Sequence, residues 1–340
     1  MSEIKNYQSV TDITLIGSGE PFIHAAKILL SSGYNLKAIL APRHATNILP
    51  LSNKSVEEAL SQLNIKYYIL EDINEFNSIA DSIPSNNTSL ALCFGPAWVF
   101  PRSVTEHFGA GMINFNGIPI PRYLGGAHYT WQILNGDRTV GMAMQEITMN
   151  IDRGDILRFE EFLLGAEARV PQDYYEGTYK IACSFIEKFI DDIKNGESFK
   201  PVPYDIFEGR RFYFPRLLTL HQGYIDWSWT AEEIVRFCCA FDKPYPGAST
   251  YINNNRVHIK NVSVEKGDGY THPFCTGLIV RQSHGVAWVA SKCGILVIRE
   301  AVDENGKDIL QSLKEGRRLY TPSNILDGAR KYQPVIAGKL

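Results

Sequence analysis

The sequence predicts an α/β protein: a parallel-sheet domain followed by a smaller, mostly β unit. Between Thr11 and Phe115 the short apolar runs ITLIG, LKAIL, IKYYIL, LALCFG and GMINF alternate with longer mixed segments, the βαβ rhythm that builds a parallel sheet. Further on, the runs GASTYI, RVHIKNVSV, CTGLIV, GVAWVA and GILVIREA are separated by turn residues at the intervals of a small β-barrel. The chain has 340 residues, 44% hydrophobic and 21% charged, which suits about two globular domains.

Taken in order, the first run ends in Gly17-Ser18-Gly19 and leads into a helix near Pro21, whose fixed φ suits a first helical turn. Two readings of that turn stand: backbone amides presented to a ligand at Gly17 and Ser18, or a tight turn that closes the sheet. The third glycine of a dinucleotide-binding turn is absent. Between Pro171 and Gly196, apolar residues at Tyr175, Tyr179, Ala182, Phe185, Ile186, Phe189 and Ile190 recur at helical spacing before an Asn-Gly stop, so one long amphipathic helix is expected to pack across the sheet. Residues 200–224 are rich in Pro, Arg and aromatics without periodicity and read as a linker. A helix over Ala231 to Phe241 precedes the β runs. The expected organisation is residues 1–200 as the first domain, 201–229 as linker, 230–305 as the barrel domain and 306–340 as an extension.

Charge and composition narrow the function. Lys and Arg number 34 against 37 Asp and Glu, a formal net charge of −3, which supplies no positive field to hold a polyanion. No apolar run reaches the roughly 20 residues of a membrane span, and the opening lacks a basic start followed by an apolar stretch. A cytoplasmic protein is expected. Cys93, Cys183, Cys238, Cys239, Cys275 and Cys293 show no CxxC spacing, so they read as reduced, mostly buried thiols, and no metal is expected.

The chemistry concentrates between Met112 and Leu157: MINFNGIPIPRYLGG, then WQILNGD, then VGMAMQEITMNIDRGDIL. INFNGIPIPRYLGG followed by IDRGDIL resembles the catalytic segment of the folate-dependent formyltransferases, the group that contains methionyl-tRNA formyltransferase and the sugar-nucleotide N-formyltransferases. In that family the pattern is Asn-x-His-Gly, Leu-Pro-Arg-Tyr, then Ile-Asp-x-Gly-Asp, and the 38 positions between Asn114 and Asp152 match its spacing. IDWSWTAEEI and PYPGASTYI resemble the entrance to the family's C-terminal domain, so the resemblance runs from about Thr11 to Ala301. It implies a Rossmann-like catalytic domain followed by an OB-like barrel, and 10-formyltetrahydrofolate as formyl donor.

Moving a formyl group to an amine passes through a tetrahedral carbon carrying a developing oxyanion, at which donors must point. The resemblance implies that Asn114 supplies one amide donor and that Asp152 organises or accepts the proton lost by the amine. The strand end at Ile113 to Phe115 would hold Asn114 at the carboxyl edge of the sheet, where open α/β proteins place ligands. The departure from the family is Asn116, which stands in place of the motif histidine; an amide donates but does not titrate. Three readings follow. Asn116 keeps the oxyanion role while Asp152 carries all proton transfer; His128, twelve positions on, refills the lost function; or catalysis is lost and binding retained. His128 has the alternative of capping a helix that starts near Tyr129.

By the same resemblance Phe94, Gly95, Pro96, Ala97 and Trp98 form the edge of a pterin pocket, the alternative being an apolar loop that buries Trp98. Gln145, Ile147 and Asn150 are expected to run beside the pterin, with Asn150 where a glycine is usual. Arg122, next to Tyr123 in a candidate substrate-binding pair, either meets a carboxylate or phosphate or clamps a backbone carbonyl. Asp155 reads as a turn residue. Tyr174, Tyr175, Arg210, Arg211, Phe212, Tyr213 and Phe214 either stack a sugar or base beside a diphosphate or pack within the linker.

The leading reading is an N-formyltransferase acting on the amine of a small molecule, an amino-sugar nucleotide or a specialised metabolite. The segment Ala41 to Ser55 has only Arg43, His44 and Lys54 as basic groups, against the positively charged insertion implied for the tRNA enzymes, so a nucleic-acid partner is not expected. A homodimer is left open. The competing readings are a 10-formyltetrahydrofolate hydrolase, with water in place of the amine, and a non-catalytic folate- or nucleotide-binding module.

Overall fold

The computed structural model describes residues 3–265 and 272–334, so the last part of the expected extension, 335–340, lies outside the described residues. The chain forms two compact units. The first comprises Met1–Arg122, Thr139–Leu163 and Gly177–Arg211; the second Tyr123–Arg138, Leu164–Glu176 and Phe212–Leu340.

The first unit is built on seven strands: β1 (Asp12–Gly17), β2 (Asn35–Leu40), β3 (Lys66–Ile69), β4 (Ser89–Phe94), β5 (Met112–Asn116), β6 (Thr139–Glu146) and β7 (Ile156–Leu163). Their order is β3-β2-β1-β4-β5-β6-β7. The first five are parallel, as the βαβ rhythm predicts, but β6 and β7 are antiparallel. The parallel expectation, drawn from Thr11 to Phe115, holds for those five strands, and β7 turns straight back on β6 because the segment between them contains no crossover helix of the kind a parallel pair needs. Alternate residues serve opposite faces. Leu15 and Leu92 join one apolar cluster with Phe22 and Leu29, whereas Ile16 and Cys93 join another with Phe76 and Phe108.

Helix α1 (Glu20–Ser31) carries Pro21 in its first turn, as expected, and the capping box of Ser55 and Glu58 starts α2 (Val56–Gln62). Helix α3 spans His128–Asn135, and the expected long helix is α4 (Pro171–Lys194). Phe185, Ile186, Phe189 and Ile190 of α4 are buried against the sheet. Its early buried aromatic is Tyr174 rather than Tyr175.

In the second unit α5 (Ala231–Ala240) is started by a capping box of Thr230 and Glu233. Five antiparallel strands follow: β8 (Ala248–Ile252), β9 (Asn255–Glu265), β10 (Ile279–Ser283), β11 (Val286–Ser291) and β12 (Gly294–Asp303), in the order β8-β9-β12-β11-β10. The two edges are joined through residues 316–320. Tyr251 and Tyr320 exchange backbone bonds of 2.8 and 3.0 Å, while the Ile279 amide donates to Arg317 O and that of Leu319 to Gly277 O, each at 2.8 Å. The segment beyond 306 is therefore part of the unit's hydrogen-bonded framework. Helix α6 (Ser323–Lys331) ends the described chain. All six cysteines are free; Cys93, Cys238 and Cys239 are buried, Cys183 and Cys275 half-buried and Cys293 exposed, so burial holds for half of them.

Candidate active site

Strand order reverses between β1 and β4, and open α/β sheets bind ligands beyond the carboxyl ends of their strands near such a point. At the end of β1, Gly17 has φ +129°, and a Cβ there would lie 2.1 Å from Phe94 O. The Ser18 amide donates to Phe94 O at 3.1 Å, and its hydroxyl accepts from Asn47 at 3.0 Å. Of the two readings of this turn, the geometry carries the sheet-closing one.

The cleft lies at the ends of β4, β5 and β6 and has a cavity volume of about 80 Å³; Pro96, Trp98, Val99, Phe100, Asn114, Gln145 to Thr148 and Asn150 to Asp152 line it. One wall is apolar, from Trp98, Phe100 and Ile147, and Trp98 is oriented by its indole N–H, 3.3 Å from Glu71 O. Phe94 is instead a core residue packed on Phe22 and Phe115. It buries because strand alternation turns it to the inner face. Gly95 and Ala97 are in the same loop but not among the lining residues. Val99, Phe100 and Ile151 line the cleft without having been singled out in the sequence; the neighbouring motif positions were the only signal available for them.

Asn114 and Asn116 are two apart on β5 and so project from one face, and Gln145 stands opposite Asn114 on β6. Their side chains form a chain of amides. Asn114 Nδ2 donates to Asn116 Oδ1 at 2.8 Å, Asn116 Nδ2 to Gln145 Oε1 at 2.9 Å, and Gln145 Nε2 to Gly154 O at 2.9 Å. Gln145 is 2% exposed, and Asn114 Oδ1 is buried with no hydrogen-bond partner among the described residues. Gly154, the glycine of IDRGD, is required by close approach: a Cβ there would lie 1.8 Å from Glu146 O. Asp152 is exposed on the same loop at φ +54°, a left-handed conformation that Asp tolerates better than most residues. Asn150 is also exposed beside it.

The remaining candidates have other settings. Arg122 pairs with Glu161 at 2.6 Å on the surface. Tyr123, in the second unit, is buried, stacks on Phe214 with centroids 5.2 Å apart, and donates to Asp137 Oδ2 at 3.1 Å. His128 also belongs to the second unit, as the first residue of α3; no side chain caps that helix, which removes the capping alternative. The residue as a whole is half-buried, but its Nε2 is fully buried without a partner. Burial pushes its pKa down to about 4, so the ring is neutral at physiological pH. In the linker, Phe214 packs on Tyr123 and Trp131, whereas Phe212 and Tyr213 are 62% and 66% exposed. No group of three metal-ligating side chains occurs among the described residues.

Five parallel strands in a Rossmann-like order thus carry asparagines at the carboxyl edge of the fifth, and Asp152 lies on a loop that lines the same cleft. Residues 217–315 match the family model described as formyl transferase, C-terminal domain. The methionyl-tRNA formyltransferase of Alkaliphilus oremlandii (strain OhILAs) is 25% identical over 320 residues, covering 93% of this chain and 97% of that protein. Among solved structures, the sugar 3N-formyl transferase WlaRD, determined with dTDP and 5-N-formyl-THF, superimposes with a TM-score of 0.63 at 18% identity, covering 87% of this chain and 98% of that one. The N-formyltransferase from Helicobacter canadensis, in complex with folinic acid and dTDP-3-aminofucose, gives 0.62 at 16% identity, covering 85% and 98%. These two likenesses are of fold. The chain is thus similar to the folate-dependent formyltransferases along nearly its whole length, and these likenesses support an enzyme that transfers formyl groups.

Proposed function

We propose that this enzyme transfers the formyl group of 10-formyltetrahydrofolate to the amine of a small molecule, an amino-sugar nucleotide or a specialised-metabolite amine. The observation that carries this reading is the amide pair Asn114 and Asn116 at the carboxyl edge of β5, with Asp152 lining the same cleft. The apolar wall of Trp98, Phe100 and Ile147 suits the face of a pterin, and the polar edge of Gln145 to Asn150 suits its hydrogen-bonding rim.

The amine nitrogen attacks the formyl carbon, whose oxygen gains negative charge as the carbon becomes tetrahedral. Asn116 gives one amide hydrogen to Gln145 and has a second for that oxygen, which is the donor half of the role held by the family histidine. Asp152 takes the proton lost by the amine. Collapse then breaks the bond to the folate nitrogen, which leaves with a proton, so the reaction balances without a net proton. Asn116 cannot carry protons, which leaves Asp152 as the exchanger with solvent; its exposure suits that task. The first unit would hold the whole reacting centre. We take the edge-joined sheet of the second unit to be an OB-like barrel, and the protein to act in the cytoplasm.

The test is folate release from 10-formyltetrahydrofolate without amine and with amino-sugar nucleotides, amino acids or charged initiator tRNA. Release accelerated by one small amine, with formylation of that amine, is expected. Asp152→Asn should lower that rate by about a hundredfold or more. Acceleration by the tRNA alone would overturn the small-molecule assignment, amine-independent release would make the protein a hydrolase, and tight binding without release would make it a binding module.

A further inference from the structure

The amide chain in the cleft has a direction, and one residue outside the reacting groups decides it. A primary amide can be turned either way round, and at each link only a donor facing an acceptor is stable. Asn114 and Asn116 alone leave two arrangements of nearly equal energy. Gln145 removes the ambiguity, because its far partner is the Gly154 carbonyl, which can only accept. Its Nε2 therefore faces Gly154 O at 2.9 Å, its Oε1 faces Asn116 Nδ2 at 2.9 Å, and Asn116 Oδ1 faces Asn114 Nδ2 at 2.8 Å. The end of the chain is Asn114 Oδ1, buried and unpaired on a residue that lines the cleft. Burying an amide oxygen without a partner costs about 1–3 kcal/mol, so this atom calls for a donor from outside the protein.

We infer that Gln145 is a positioning residue that, anchored on Gly154 O, sets the polarity of the Asn116 and Asn114 amides and thereby presents Asn114 Oδ1 as an acceptor for an N–H of the reactants. This rests on the formyl-transfer reading. Both the amine and the reduced folate carry such a group. The anchor also gives Asn116 a defined part: it accepts from one neighbour and donates to the other, as a neutral imidazole would, so the polarity survives the loss of the family histidine. Gly154 has a second reason to be glycine, since its approach to Glu146 O is what brings its own carbonyl to Gln145.

The test is Gln145→Glu, studied between pH 5.5 and 8, with every value taken relative to wild type at the same pH. Protonated, the new carboxyl has the hydrogen-bonding pattern of glutamine: its O–H donates to Gly154 O and its carbonyl accepts from Asn116. Ionised, it sets a negative oxygen against Gly154 O. Burial raises its pKa above the unfolded value. The stability it retains is then present at low pH and lost as pH rises through the folded pKa. We expect a melting temperature near that of wild type at pH 5.5 and falling away toward pH 8. The formyl-transfer rate should be down about tenfold or more at pH 8 and recover in parallel on acidification.

Loss of rate that is uniform with pH, or full rate at pH 8, overturns the inference. A melting temperature with no acid recovery overturns the anchor itself. Asn114 Oδ1 receives the amine if KM for the amine rises, and the folate if the Kd of 5-formyltetrahydrofolate does; no change in either overturns the acceptor assignment. Wild type that binds 5-formyltetrahydrofolate yet releases no formyl group to any amine fails the transferase reading, and the melting series and that Kd still decide this one. Should Gln145→Glu not fold at any pH, Gln145→Met serves: full rate or an unchanged melting temperature overturns the inference, and a lowered rate in protein whose lowered melting temperature still lies above the assay temperature upholds it.

Discussion

At the scale of the residue, the hydrogen bonds of Asn116 limit what its side chain can do. Its two bonds, to Asn114 and to Gln145, consume one acceptor and one donor and leave one N–H, so it can stabilise charge but not move protons. Asn116→His would add a group that titrates near neutrality. We expect kcat for formyl transfer to rise roughly tenfold to a hundredfold, with a new acid limb in the pH profile below the imidazole pKa that wild type lacks. A pH series on both proteins checks it, and an unchanged profile would mean that the position does not reach the reacting atoms. His128 does not offer a substitute cation at neutral pH, since burial lowers its pKa to about 4.

At the scale of the element, the site depends on strand ends that are locked before any ligand arrives. The turn from β1 into α1 closes on β4 through Gly17 and the Ser18 amide. Gly17→Ala would put a methyl 2.1 Å from Phe94 O at φ +129°. The expected loss of stability is about 2 kcal/mol or more, read as a lowered melting temperature, together with weaker folate binding because the loop after Phe94 carries Pro96 and Trp98. An unchanged melting temperature would show that β1 and β4 can separate freely there. Much of this element level was legible in the sequence: the five parallel strands, α1 at Pro21, the long α4 and the strands of the second unit all follow from periodicity and turn residues. The antiparallel direction of β6 and β7 was not, because alternation marks a strand but carries no sign of its direction.

At the scale of the whole molecule, each unit is completed by chain distant in sequence. The second unit joins the edges of its sheet through residues 316–320, about 65 residues from β8 along the chain. Truncation after Leu313 would expose the edges of β8 and β10. We expect a melting temperature lowered by several degrees and faster amide exchange in β8 and β10, with the first unit's strands little changed; exchange measured by mass spectrometry checks this, and uniform protection across both edges would refute it. No helix among the described residues is long and apolar enough to cross a membrane.

The sequence by itself determined the class of fold, the positions of Asn114, Asn116 and Asp152 in one segment, and the family to which that segment is similar. These are properties of local pattern: hydrophobic period, turn residues and motif spacing act over a few residues and can be read along a line. Only the tertiary structure decided that Gln145 joins the two asparagines, that Gly154 anchors the chain of amides, and that Asn114 Oδ1 is left unpaired. Hydrogen-bond polarity is a property of partners brought together from β5, β6 and the following loop, and no single stretch of sequence contains it.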